Sequence, residues 1–174
     1  MGTRSLTVFT EDDGTEIVVL YRQYDGYMEG HGIELAKFLA PFALTNGLPM
    51  GATGKLANGM GCLAAQVISH FKGDEAGQFY LYPAGTRDAN EEFIYTVYMG
   101  ADSRSGTTVP FIRVHDVYAN SILFDGNAAA LVHRVEAEPA TDWKVCQVCG
   151  DEMKHWNHRT AHFAKHHAGV DPAL

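Results

Sequence analysis

The feature that most constrains this chain lies near its end. The segment "VCQVCGDEMKHWNHRTAHFAKHHAG" sets Cys146, Cys149, His162 and His166 in the pattern C-x2-C-x12-H-x3-H. Each gap has a geometric reason. Two residues between cysteines let a tight knuckle aim both sulfurs at one ion, and Gly150 permits the turn. Histidines four apart share one face of a helix. Zn2+ takes two thiolates and two neutral imidazoles tetrahedrally, and the twelve-residue interval is long enough for a strand to run back and a helix to begin. The spacing therefore predicts a ββα, C2H2-type zinc finger. Roughly twenty-five residues cannot bury enough apolar surface to fold alone, and a metal is the usual remedy at that size. Met153 and Arg159 stand four and ten residues after the second cysteine, where a finger usually carries large apolar side chains. Trp156 and Phe163 are expected to supply the small core instead. Two other histidines compete as ligands: His167 can replace His166 with a distorted helix end, whereas His158 pairs in spacing with His162 but leaves too short a run from Cys149.

The rest of the chain differs in charge. Trp143 to Ala168 carries Lys144, Lys154, Arg159 and Lys165 against Asp151 and Glu152, a net +2, so the remainder of a chain at -8 holds -10. Between them "AEPATD" has a proline, small residues and acids but no periodicity, which marks a linker over residues 137–142. Residues 1–136 and 143–174 are thus expected to be separate modules. With 174 residues and 46% hydrophobic content, the chain can hold one ordinary core plus a small appendage. No apolar run approaches the ~18 residues of a membrane span, and no charged-apolar-small leader opens the chain. A cytoplasmic protein with no membrane partner is expected. Cys62 is the one cysteine outside the finger, which excludes a disulfide framework.

Residues 1–136 predict an α+β domain, a mainly antiparallel sheet with helices on one face. "SLTVFT" and "EIVVLYRQYD" read as strands joined at "EDDG", a hairpin. Helical periodicity follows over Ile33 to Phe42, then more clearly at Leu56, Met60, Leu63, Ala64, Val67, Ile68 and Phe71. Further strands are expected at "QFYLYP", "EFIYTVYM", "PFIRVHDVY" and "SILF". A last helix follows at "NAAALVHRVE", capped by Asp125 or Asn127.

The stretches "TRSLT", "YRQYDGYMEGHG", "NGMGCLAAQ" and "FYLYPAGTRD" touch most of the first hundred residues. As a set they resemble a family of small uncharacterised proteins of bacteriophages and bacterial genomes. The resemblance implies a phage- or prophage-related protein and brings no activity with it.

Several segments invite chemistry. "GLPMGATGKLANGMG" is rich in glycine before a helix, but Pro49 and Leu56 stand where a phosphate loop needs Gly and Ser or Thr, so that motif fails. Asn58 to Gly61 could still turn helix N-terminal amides toward an anion. Cys62 near that helix start reads as a small core residue rather than a nucleophile, because His70 lies about 12 Å further along the helix. Arg4, Arg22, Gln23, Asp25 and His31, with Arg87 and Asp88, have the residue types of a site for an anionic or nucleotide ligand. The competing reading is a structural Arg22–Asp25 ion pair among turn glycines. Tyr80 and Tyr82 share a strand face, with Tyr95 expected opposite them, as cross-strand packing or as a base-stacking platform.

The expected function is therefore a zinc-containing, non-catalytic binding protein. Its finger meets nucleic acid, a host protein or a ribonucleoprotein, with Lys154, Asn157, Arg159 and Lys165 as the candidate nucleic-acid contacts. The alternative is a small nucleotide-like ligand in the α+β domain beside a purely structural finger.

Overall fold

The fold was obtained as a computed structural model, which describes residues 2–47, 53–74 and 76–137. The expected zinc ligands, the candidate nucleic-acid contacts and the linker beyond Ala137 lie outside the described residues. The chain divides into two units after Glu136, and the first is an α+β unit.

Strand β1 (Ser5–Thr10) and β2 (Glu16–Arg22) form the expected antiparallel hairpin. The turn between them closes with the Glu11 N–H on the Thr15 carbonyl at 2.8 Å. A single π-helical turn, Met28–Gly32, leads into α1 (Ile33–Leu39). Then come β3 (Phe42–Thr45), β4 (Lys55–Asn58) and α2 (Gly59–Lys72). The chain continues through β5 (Phe79–Tyr82), β6 (Phe93–Ala101), β7 (Thr108–Asp116), β8 (Ser121–Asn127) and α3 (Ala128–Ala137).

Six strands form one sheet in the order β5-β2-β1-β6-β7-β8, while β3 and β4 pair separately and parallel. The large sheet is mixed, because β1 and β6 run parallel while its other neighbours are antiparallel. That one parallel pairing makes β5 and β6 point the same way. The connection between them must therefore return the length of the sheet, and it does so across the face that carries Leu6, Val8, Val19 and Tyr21, against which Ala89, Tyr82 and Ile94 pack. This return seals a second small core with an irregular segment where a helix is the more usual cover.

On the other face Thr7, Phe9, Leu20, Tyr95, Val97, Ile112 and Val114 stand in register across the central strands. All are fully or almost fully buried, as are Leu35 and Leu39 of α1 and Met60, Leu63 and Val67 of α2. Helix α2 packs against β1, β2 and β5, and α1 against α2. Lys37 of α1 reaches Glu136 of α3 at 2.8 Å.

Three element boundaries differ from the sequence expectation. Helix α1 stops at Leu39, and Phe42 opens β3. Pro41 has no N–H for the carbonyl four residues back, so the helix cannot pass it. The second helix starts at Gly59, and Leu56 belongs to β4. Gly59 has φ 74, outside helical space, and pairing with β3 holds the residues before it extended. Strand β8 continues to Asn127, beyond "SILF", because its partner β7 offers hydrogen bonds that far. Asn127 then caps α3, its Oδ1 accepting the Ala130 N–H at 2.8 Å, while Asp125 pairs with Arg113.

Candidate functional site

Arg22 ends β2 and His31 sits in the π-helical turn, and both are buried in the helical face of the sheet, at 4% and 0% exposure. The Arg22 Nε donates to the Tyr24 carbonyl at 2.6 Å. Its Nη1 lies 3.1 Å from His31 Nδ1 and also donates to the Glu34 carboxylate. A guanidinium only donates, so His31 Nδ1 must accept and the ring proton sits on Nε2. That proton goes to Thr7 Oγ1 at 2.7 Å. Burial first, and the Arg22 charge second, push the His31 pKa down from 6.5 to about 3. The ring is locked between aromatic neighbours, edge-on to Tyr95 at 5.1 Å and to Phe71 at 5.3 Å. Tyr95 donates its hydroxyl to the Gly26 carbonyl at 2.8 Å, and burial raises its pKa well above the usual phenol value.

The glycine-rich segment is the strap that holds this set. At Gly26 a Cβ would stand 2.7 Å from the Arg4 carbonyl carbon and 2.8 Å from Ser5 Cβ. At Gly30 it would stand 2.5 Å from the Asp25 carbonyl oxygen. The Asp25 carbonyl is needed where it is, because it accepts the His31 N–H at 2.8 Å. Asp25 itself takes φ 56 and turns its side chain to solvent.

Chemically the set is closed. The basic lone pair of His31 is covered by a cation, its proton is donated to Thr7, and the ring is neutral over the ordinary pH range. Such an imidazole orients and packs, and it offers no base to a substrate.

The other residues expected beside it lie elsewhere. Gln23 accepts the Tyr21 hydroxyl at 2.7 Å and donates its N–H to the Gln78 carbonyl at 2.8 Å. Arg4 acts on Tyr21, whose ring belongs to the second core on the opposite face, and its charge also acts on Glu92. Arg87 is held by Glu16, which also accepts the Gly85 N–H at 2.7 Å. Glu16 and Arg22 are six residues apart on β2, about 20 Å in a strand. Asp88 is exposed. The seven residues thus fall in three places. The structural pairing of Arg22 is also with Glu34, not Asp25. Glu34 and Thr7 were not singled out from sequence. Their one local signal is spacing, three residues beyond His31 for Glu34 and inward alternation on β1 for Thr7.

Cys62 is exposed, contrary to the core reading, since α2 turns Met60, Leu63, Ala64 and Val67 inward and leaves Cys62 on its outer face. Gln66 donates to its sulfur at 3.4 Å. It borders a groove of about 510 Å³ with Phe38, Phe42, Lys55 and His70, where Lys55 lies 4.8 Å from the Phe38 ring centre and His70 stacks on the same ring at 4.1 Å. At the start of α2, Asn58 turns its side chain back to accept the Gly47 N–H at 2.7 Å. Tyr80 and Tyr82 both pack on Tyr21, at 5.9 and 5.4 Å. Tyr95 lies on the opposite face from them: it stands in register with Thr7 and Leu20, whereas Tyr80 and Tyr82 stand in register with Tyr21 and Val19, and β5 pairs with β2 and not with β6.

Among the described residues no three His, Cys, Asp or Glu side chains are placed to hold a metal, and no helix is long and apolar enough to cross a membrane. Comparison with protein-family models, with curated proteins and with solved structures finds no match to this chain.

Proposed function

We propose that this chain is a zinc-containing, non-catalytic binding protein, phage- or prophage-related, whose C-terminal finger contacts a macromolecular partner. The observation that carries the reading is the C-x2-C-x12-H-x3-H spacing. In it Cys146, Cys149, His162 and His166 hold Zn2+, with His167 the substitute for His166. The ion is structural in this reading: four protein ligands leave no open position for substrate. The non-catalytic part is supported by the one buried histidine among the described residues, whose lone pair faces Arg22. The spread of Arg22, Arg4 and Arg87 over three places gives a nucleotide site at those residues no support.

Nucleic acid is the first candidate partner, because Lys144, Lys154, Arg159 and Lys165 make the finger cationic on an otherwise acidic chain, with Asn157 beside Lys154, Arg159 and Lys165 as the candidate contacts. Lys144 and these three cations neutralise at most about four phosphates, so log K falls with log salt at a slope no steeper than about -4 on duplex DNA. One finger covers only about three base pairs, so specificity requires dimerisation, a second protein or a structured RNA.

Elemental analysis of the purified protein is expected to give one zinc per chain. Cys149→Ala releases the metal while residues 1–136 keep their cooperative unfolding transition, and retention of stoichiometric zinc by that variant would refute the site. A salt titration on duplex DNA and on RNA then compares the intact protein with the Lys154→Ala, Arg159→Ala, Lys165→Ala variant. Equal affinity and equal slope would move the assignment from nucleic acid to a protein partner.

A further inference from the structure

A cleft of about 790 Å³ lies between the β6–β7 turn, the start of β7 and the first turns of α3, and its arginines are already engaged. Arg134 donates to the Leu123 carbonyl at 2.7 Å and lies over the Phe124 ring, while the charge of the exposed Arg104 acts on the Asp102 carboxylate. Groups left without a partner are found instead at one edge of the large sheet.

That sheet ends on β5 at one side and on β8 at the other. One bond fixes which groups of β5 face outward. The Gln23 N–H donates to the Gln78 carbonyl at 2.8 Å, directly beyond the Arg22–Phe79 pair of β2 and β5. Antiparallel pairs alternate between bonded and non-bonded. Tyr80 and Tyr82 therefore turn their N–H and C=O toward β2, and Phe79 and Leu81 turn theirs outward. The Phe79 N–H is taken by the Gly77 carbonyl at 2.6 Å. Among the described residues no hydrogen bond meets the N–H or C=O of Leu81, whose side chain is 58% exposed.

Proteins usually guard a sheet edge with charge, proline or a bulge. Strand β8 is guarded, since it carries the exposed Asp125 and a register shift opposite Val114 and His115. Strand β5, Phe-Tyr-Leu-Tyr, has no charge and no register shift, and Pro83 only ends it. Tyr80-Leu81-Tyr82 also reads the same in both directions. Under a two-fold axis beside Leu81, an antiparallel copy sets the two leucines opposite each other and each Tyr80 opposite a Tyr82. The outward phase makes the leucines the bonded pair, exchanging two N–H···O bonds, and makes the tyrosine pairs the closer, non-bonded kind. Aromatic pairs at such positions stabilise antiparallel strands.

We propose that β5 is the contact through which two copies of this chain pair, edge to edge and antiparallel about Leu81. A second copy fits better than a foreign strand, because the edge is its own complement and, being uncharged, is where two chains of net -8 meet with least repulsion. Pro83 has no N–H to extend the ladder and β8 is guarded, so pairing closes at a dimer. One four-residue strand gives an interface below the ~1,200 Å² of stable complexes, so the dimer dissociates on dilution. The pairing does not rest on the finger reading, yet a dimer carries two fingers, which the short footprint of one finger calls for.

Sedimentation equilibrium of the full chain from about 5 µM to about 500 µM tests it, the range in which a small interface associates. The wild type is expected to move from monomer toward dimer, more readily in high salt, where like charges are screened. Leu81→Lys sets two cations face to face and is expected to weaken association about tenfold or more. Leu81→Pro removes the outward N–H with the same effect, whereas Ile122→Lys on β8, at a side chain 54% exposed, leaves association unchanged. Hydrogen exchange reads the unaltered chain: the Leu81 amide is expected to exchange more slowly at the high concentration, and the Ile122 amide equally at both. A chain that stays monomeric throughout overturns self-pairing and leaves β5 to a foreign strand. Unchanged association in Leu81→Lys, or equal Leu81 exchange at both concentrations, would also overturn it. A dimer lost in Cys149→Ala and kept in Leu81→Lys would place the contact at the finger, so failure here is distinguishable from failure of the zinc reading.

Discussion

The Arg22 set and the Arg104 cleft place the same residue type in opposite surroundings. At Arg22 the guanidinium is 4% exposed and its donors meet a carbonyl, an imidazole and a carboxylate. At Arg104 the side chain is exposed at the edge of an open volume. A buried cation has to be matched completely, because an unmatched one is too costly to leave out of water. A buried guanidinium thus has its partners built into the fold, whereas an exposed one such as Arg104, whose charge acts on Asp102, is solvated by water.

Breaking the first region has the largest consequence. Arg22→Ala leaves His31 Nδ1 buried without a donor and empties the space over the Phe79 ring, where the guanidinium carbon lies 5.3 Å from the centroid. A loss of about 3 kcal/mol in urea denaturation is expected. A loss below about 1 kcal/mol would show that the set is not matched as described.

The pH dependence of the same region comes next. The folded pKa of His31 is depressed, from 6.5 to about 3, so the unfolded chain binds a proton more readily than the native one. Its contribution to stability is thus fully present above pH 6.5 and is lost as pH falls toward 3, at up to about 1.4 kcal/mol per pH unit. Carboxylates also change charge at acid pH, so the measurement is the difference between wild type and His31→Gln. The wild type is expected to show the steeper fall between pH 6 and 4; parallel curves would mean that His31 is not held neutral.

Surface pairs contribute less. Arg87→Ala removes a partly exposed pair with Glu16 and is expected to change stability by under about 1 kcal/mol, lessening further in salt. Arg104→Ala is expected to change it by under about 0.5 kcal/mol, because the side chain is exposed. The contrast between Arg22 and Arg104 is sharpest if the two variants separate in stability, the buried one costing several times the exposed one.

Much of the α+β unit is legible in residue order. The hairpin of β1 and β2, the inward stripe of Met60, Leu63, Ala64 and Val67, and the Asn127 cap of α3 all follow from local patterns of alternation, helical period and capping chemistry. Local patterns failed where partners decided. Leu56 fits the helical stripe, yet pairing with β3 draws it into a strand. Cys62 has the side chain of a core residue, yet the rotation of α2 on the sheet leaves it outside.

By itself the sequence determined the class of each long element and the C-x2-C-x12-H-x3-H spacing from Cys146 to His166 on which the zinc proposal rests, because periodicity and short-range spacing are properties of neighbours along the chain. Only the tertiary structure decided that β6 lies parallel to β1, that Ala89 of the 83–92 return packs on the core of Leu6, Val8, Val19 and Tyr21, that Glu34 rather than Asp25 answers Arg22, and that Arg104 and His133 border one cleft. Each of these joins residues that are distant in sequence or offset by a turn of backbone. Which of several chemically equivalent partners meets is settled by the packing of the whole unit, where burial of one apolar face selects among registers that the local sequence leaves equal.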